Sequence, residues 1–142
     1  MDEAVFSSKQ VRPTVWYSAQ KEPVLLQKKT IGFKAIAVAA AIDCEGRVVA
    51  HRVVDGAIDN LEFQRFLIEV SLRFSHRRKV LMLVDNLPVH KMLVVKERAK
   101  SLNIELVFNG TYSSTFNPIE RLWAWSKQRF SKRCVEGAPY HH

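Results

Sequence analysis

Val80-Leu81-Met82-Leu83-Val84-Asp85-Asn86 is a short apolar run closed by a carboxylate and an amide. Five such residues, bounded by polar ones, read as a buried strand. Further on, Asn117-Pro118-Ile119-Glu120 opens a segment in which Ile119, Leu122, Trp123, Ser126 and Phe130 recur at helical spacing, and 34 residues separate Asp85 from Glu120. A carboxylate at a strand's end and another in a helix's first turn can meet at one edge of a sheet. Two or three acids meeting there can hold a pair of divalent metals, an arrangement that cuts and joins phosphodiesters.

Upstream of that strand, Met1 to Ser8 reads as a strand start, with Val5 and Phe6 apolar. Residues 9–29 are polar and interrupted by Pro13 and Pro23, so they read as a loop holding Trp16 and Tyr17. Lys34 to Ile42 and Arg47 to Val54 read as a hairpin turning at Asp43-Cys44-Glu45-Gly46. Asp59-Asn60 caps a predicted helix whose Leu61, Phe63, Phe66, Leu67, Val70, Leu72 and Phe74 suggest a broad apolar face.

Downstream, Lys91 to Leu102 reads as a mixed-charge helix with Leu93, Val94 and Ala99 inward. Ile104 to Phe108 reads as a strand, residues 109–116 as a loop, Pro118 to Phe130 as a helix, and 135–142 as a frayed tail. The order β, β-hairpin, α, β, α, β, α predicts an α/β domain with a mixed sheet and helices on its faces.

The chain has 142 residues, enough for one domain with a real core, and 47% are hydrophobic. Lys and Arg number 22 against 14 Asp and Glu, giving a net charge of +8 and a pI near 9.8. That imbalance suits a polyanionic partner, nucleic acid first, although a solvated basic surface explains it equally well. His76-Arg77-Arg78-Lys79 reads as a solvated turn or, less simply, a nuclear address. Cys44 and Cys134 have neither metal-ligand spacing nor a disulfide framework, which fits a reducing compartment. No apolar stretch is long enough to span a membrane, and Ile36 to Ile42 ends at Asp43.

Three motifs coincide: Asp2-Glu3-Ala4-Val5-Phe6, Asp85-Asn86 with His90, and Tyr112-Ser113 leading to Asn117-Pro118-Ile119-Glu120-Arg121 with Trp123. Together they resemble the catalytic domain of mariner-superfamily (DDE) transposases and their bacterial insertion-sequence relatives, and the 34-residue gap matches one branch. The resemblance implies a ribonuclease-H-like fold, as in retroviral integrases: a mixed five-stranded sheet flanked by helices over residues 1–134, with 135–142 as a tail. It implies a catalytic, metal-binding triad of Asp2, Asp85 and Glu120, with Asn86, His90 and Asn117 in support. It further implies two divalent ions, Mg²⁺ with Mn²⁺ as a substitute, held by hard oxygen ligands. Implied partners are double-stranded DNA (transposon ends and target) and a second copy or a full-length transposase, with no membrane. The implied location is intracellular: the nucleus in a eukaryote, the cytoplasm or nucleoid in a bacterium. Arg121, Lys127, Arg129, Lys132 and Arg133 would contact phosphates without reading sequence.

Each acid also has a plainer reading. Glu120 stands three residues after Asn117, as in a capping box. Asp85-Asn86 before Pro88 suits a strand end and turn, and Asp2 a terminal surface acid. Trp123 falls on the apolar face as core, and Trp125 lies off it. Two departures from the family pattern stand out. Residues 109–115 contain no proline, and only Met1 precedes Asp2 where the family carries further strand residues and a helix-turn-helix. The expectation is therefore an amino-terminally truncated catalytic domain. Its function is metal-dependent DNA cleavage and strand transfer, or else an inactive or domesticated fragment that only binds nucleic acid or protein. A ribonuclease acting on RNA–DNA hybrids is a third possibility.

Overall fold

The structure is a computed structural model that describes residues 1–7, 35–74, 79–110 and 117–136. Five strands and four helices follow one another as β1 (Asp2–Phe6), β2 (Ile36–Ile42), β3 (Val48–Asp55), α1 (Asn60–Ser71), β4 (Val80–Val84), α2 (Pro88–Lys91), α3 (Leu93–Ser101), β5 (Ile104–Phe108) and α4 (Ile119–Glu136). The predicted loop over 9–29 with Trp16 and Tyr17, the cations Arg12, Lys28 and Lys29, His76-Arg77-Arg78, Tyr112-Ser113 and residues 137–142 lie outside the described residues.

The hairpin forms where the sequence places it. Asp43 Oδ1 accepts from the backbone N–H groups of Glu45 and Arg47, each at 2.9 Å. Gly46 takes φ +80°, which a side chain would resist. β1 pairs antiparallel with β2 (Asp2 opposite Ala40, Phe6 opposite Ile36), and β2 pairs antiparallel with β3. β4 and β5 pair in parallel, from Val80 opposite Ile104 to Val84 opposite Phe108.

All five expected strands are present, but the ladder runs as two pieces, β1-β2-β3 and β4-β5. The Met1 ammonium donates to the Leu83 carbonyl at 2.8 Å across the join. Beside this seam opens a cavity of about 590 Å³ with Met1, Ala41, Ile42, Leu81, Leu83 and Pro118 among its walls. One core nevertheless spans both pieces: Ala39, Ala41 and Ala50 from the antiparallel part, Met82, Val84 and Ile104 from the parallel part, and Phe63, Phe66, Leu67 and Val70 from α1. A second cluster on the opposite face joins Ala4, Phe6 and Ala40 to Ile119 and Trp123 of α4.

Four details depart from the sequence reading. Leu61 and Leu72 are exposed, because a 3.6-residue period sets both opposite the buried Phe63 and Val70. In β4 only Met82 and Val84 are buried, and Leu81 and Leu83 remain 66% and 43% exposed. A run of uniform apolarity carries no phase, so the exposed face could not be read from it. The predicted helix from Lys91 breaks at Met92, whose ψ is 139°, and α3 buries Val95 and Ala99 while Leu93 and Val94 face outward. α4 continues past Phe130 to Glu136, since no Gly or Pro interrupts it before Gly137.

Candidate active site

Strand alternation gives β1 two chemical faces. Ala4 and Phe6 point toward α4, so Asp2, two and four residues before them, shares that face. There its Oδ2 accepts a hydrogen bond from the Trp123 indole N–H at 3.1 Å. Trp123 packs edge-on against Phe6, with ring centroids 6.3 Å apart, and Phe6 in turn meets Phe130 at 5.4 Å. The apolar face of α4 therefore fixes the acid on β1. Trp123, expected from the sequence as core, is core and also the donor to Asp2.

Glu120 lies in the first turn of that helix, exposed. Asn117 does cap it: its Oδ1 accepts from the Ile119 N–H at 3.4 Å, and its carbonyl accepts from the Glu120 N–H at 3.1 Å. The reciprocal bond of a capping box, from the Asn117 N–H to the Glu120 carboxylate, does not form among the described residues. Glu120 is left facing other acids rather than closing its own helix end.

Asp85 follows the last residue of β4. Its Oδ1 accepts from the Leu87 N–H at 3.3 Å and lies 2.7 Å from His90 Nδ1. His90 is fully buried, with its ring against Phe63 at 4.3 Å between centroids. Its Nε2 lies 3.1 Å from Glu3 Oε1, on the face of β1 opposite Asp2. Burial opposes a charge on His90, but the hydrogen bond and charge of Glu3 and the charge of Asp85 outweigh it, and the pKa stands above the ordinary value. The hydrogen bond from Nδ1 runs to the Asp85 carbonyl at 3.4 Å, beside the ion-pair contact with Oδ1. Asn86 spends its amide N–H on the Asn109 carbonyl, tying the ends of β4 and β5 together.

Asp2 is where the acids converge. Burial raises its pKa, and the negative charges of Glu120 and Asp85 raise it further, against the Glu3 backbone N–H and the Trp123 indole, which lower it. Asp2 on β1 thus feels the charges of Glu120 at the start of α4 and of Asp85 at the end of β4. The three acids do not form a closed cage: among the described residues no three His, Cys, Asp or Glu side chains are grouped to hold one ion. Asp85 has one oxygen turned to His90. The donor set itself, oxygen atoms carrying excess negative charge, fits a hard divalent cation.

The basic residues of α4 do not make one patch. Helical spacing sets Arg121, Trp125, Arg129 and Lys132 on one exposed stripe, with the Arg129 guanidinium 4.6 Å from the Trp125 ring centre. Lys127, seven residues after Glu120, falls on the acid's side of the helix, and Arg133 continues the four-residue steps one turn beyond Arg129. Glu3 is the site residue that sequence reading missed. Its signal was the alternation of β1, which turns it away from Asp2, but its partner is 87 positions distant.

The family profile described as DDE superfamily endonuclease matches residues 1–137. No functionally curated protein sequence matches the chain. Among solved structures, the Mos1 strand transfer complex superposes with TM-score 0.70 at 19% identity, covering 91% of this chain and 40% of that one. The Mos1 transposase paired-end complex with left transposon end gives 0.69 at 19% identity, with 90% and 40% coverage. The Mos1 mariner paired-end complex with Mn gives 0.61 at 17% identity, with 95% and 50% coverage. At these identities the likeness speaks to the fold, which is the ribonuclease-H-like α/β fold expected from the sequence. The chain spans about 40% of the length of the first two of these proteins.

Proposed function

The chain belongs to the DDE superfamily endonucleases, and from that membership we propose that Asp2, Asp85 and Glu120 form a divalent-metal centre that cleaves DNA and joins strands in transposition. One observation carries the reading: Asp2, hydrogen bonded by the Trp123 indole, lies within reach of the charges of Glu120 and Asp85 from two other elements.

The chain's own residues supply position. Trp123 holds one oxygen of Asp2, His90 holds one oxygen of Asp85, and the Asn117 cap fixes the helix end from which Glu120 projects. Mg²⁺, or Mn²⁺ in its place, would be held by these three acids, and would activate a water or a DNA 3′ hydroxyl and stabilise the leaving oxygen. The site's excess negative charge favours a cation before substrate arrives. Lys127, on the acid side of α4, is placed to meet a phosphate that follows. The Mn in one Mos1 complex supports the choice of metal, and the left transposon end in the paired-end complex supports a transposon end as substrate. A second copy or a full-length transposase as partner, and action in the nucleus or the bacterial nucleoid, belong to the same proposal.

The test is nicking of supercoiled duplex DNA by the purified chain in Mg²⁺ or Mn²⁺. Cleavage that Asp85→Asn or Glu120→Gln abolishes is the expected result. Folded protein that binds DNA without cutting it would mark a binding module instead. Faster cutting of RNA–DNA hybrid than of duplex DNA would move the activity to the ribonuclease class.

A further inference from the structure

We propose that Glu3 is a positioning residue for the reaction, acting through His90 to hold Asp85 by one oxygen and leave its other oxygen for the cation. This rests on the function proposed above. Both ring nitrogens of His90 face a carboxylate: Nε2 is 3.1 Å from Glu3 Oε1, and Nδ1 is 2.7 Å from Asp85 Oδ1. The ring is fully buried and lies against Phe63 of α1. Nε2 is hydrogen bonded to Glu3, and Nδ1 is hydrogen bonded to the Asp85 carbonyl at 3.4 Å with Asp85 Oδ1 in ion-pair contact beside it. The ring's orientation is thereby set from β1, and the Asp85 carboxylate follows.

β1 presents adjacent acids to opposite faces, so Asp2 enters the centre directly while Glu3 reaches it from behind, by way of α2. Glu3 and His90 are not ligands in this arrangement. They determine which oxygen of Asp85 is free and where it points. Both hydrogen-bond or ion-pair contacts of the Asp85 carboxylate use Oδ1 among the described residues, and the Met1 ammonium also feels its charge. Carboxylate–histidine pairs behind a metal ligand typically change metal affinity by about 10–100-fold when broken.

The relay can be tested on the 142-residue chain with Mn²⁺ alone as the probe, using calorimetric titration and NMR of the His90 ring nitrogens. Glu3→Ala is expected to weaken Asp85-dependent Mn²⁺ binding about tenfold. Glu3→Gln retains an acceptor oxygen of the same reach and is expected to restore most of that loss. In the wild-type protein, with no metal added, His90 Nδ1 should carry a slowly exchanging proton, and Glu3→Ala should speed its exchange. Mn²⁺ binding that requires Asp85 but is indifferent to Glu3→Ala overturns the relay alone. Mn²⁺ binding unchanged by Asp85→Asn overturns the proposed function and the relay with it. Should Glu3→Ala fail to fold, the wild-type spectrum still decides: an Nδ1 without a proton cannot donate to Asp85, and the relay falls.

Discussion

At the scale of single residues, Asp2 shows how a site constrains its own stability. Its pKa is raised in the folded protein, chiefly by burial and then by Glu120 and Asp85. The stability it contributes is therefore complete below its unfolded value and lost as pH rises through the folded one. At neutral pH, without metal, the carboxylate is a liability. Asp2→Asn, which keeps an acceptor for the Trp123 indole, should raise the melting temperature of the metal-free protein at about pH 7. That advantage should vanish near pH 3, as thermal melts across pH would reveal. Mn²⁺ at roughly a hundredfold excess over its dissociation constant should stabilise the wild type by about 2.7 kcal/mol. The same addition should leave Asp2→Asn nearly unmoved. The acids themselves were legible in the sequence, since Asp85 and Glu120 sit where a strand stops and a helix begins. Glu3 was not, because its partner His90 is adjacent only after folding.

At the scale of elements, α1 and α4 are secured differently. Asp59 Oδ1 accepts the Glu62 N–H at 2.8 Å, closing the start of α1. Asp59→Ala should cost about 1 kcal/mol in denaturant unfolding, with the slope unchanged. α4 depends on aromatic packing: Phe6 meets both Trp123 and Phe130. Phe6→Ala should cost about 3–5 kcal/mol and should loosen the Trp123 indole from Asp2. Indole N–H exchange would report that loosening separately from global unfolding. Periodicity revealed α1 and α4 because polar residues alternate with apolar ones along them. It misjudged β4 and α3, where apolar residues run together. Leu81, Leu83, Leu93 and Val94 are exposed, and no local signal distinguishes them from their buried neighbours Met82 and Val95.

At the scale of the whole molecule, the proposed function and the net charge of +8 together predict a salt-dependent affinity for DNA. Removing one phosphate-binding cation should make the slope of log K against log salt shallower by about 0.9. Arg121→Ala and Arg129→Ala, tested separately by fluorescence anisotropy, should each produce a change of about that size. Trp125, 55% exposed beneath Arg129, should alter affinity with little change in slope. The overall order of strands and helices followed from pattern, but the division of the ladder into two pieces did not. That division depends on how far β1 reaches alongside β4, a matter of chain placement in space.

The seam between those pieces has a consequence for tuning. Asp2 and Asp85 stand on opposite banks of it, so no strand-to-strand hydrogen-bond repeat dictates the span between them. The span is set by the Met1–Leu83 hydrogen bond and by how Ala41, Met82 and their neighbours fill the interior, as a shim sets the gap of a vice. Enlarging Ala41 or trimming Met82 would therefore adjust the opening offered to a cation without altering any acid, and the ionic radius accepted would become a readout of core volume.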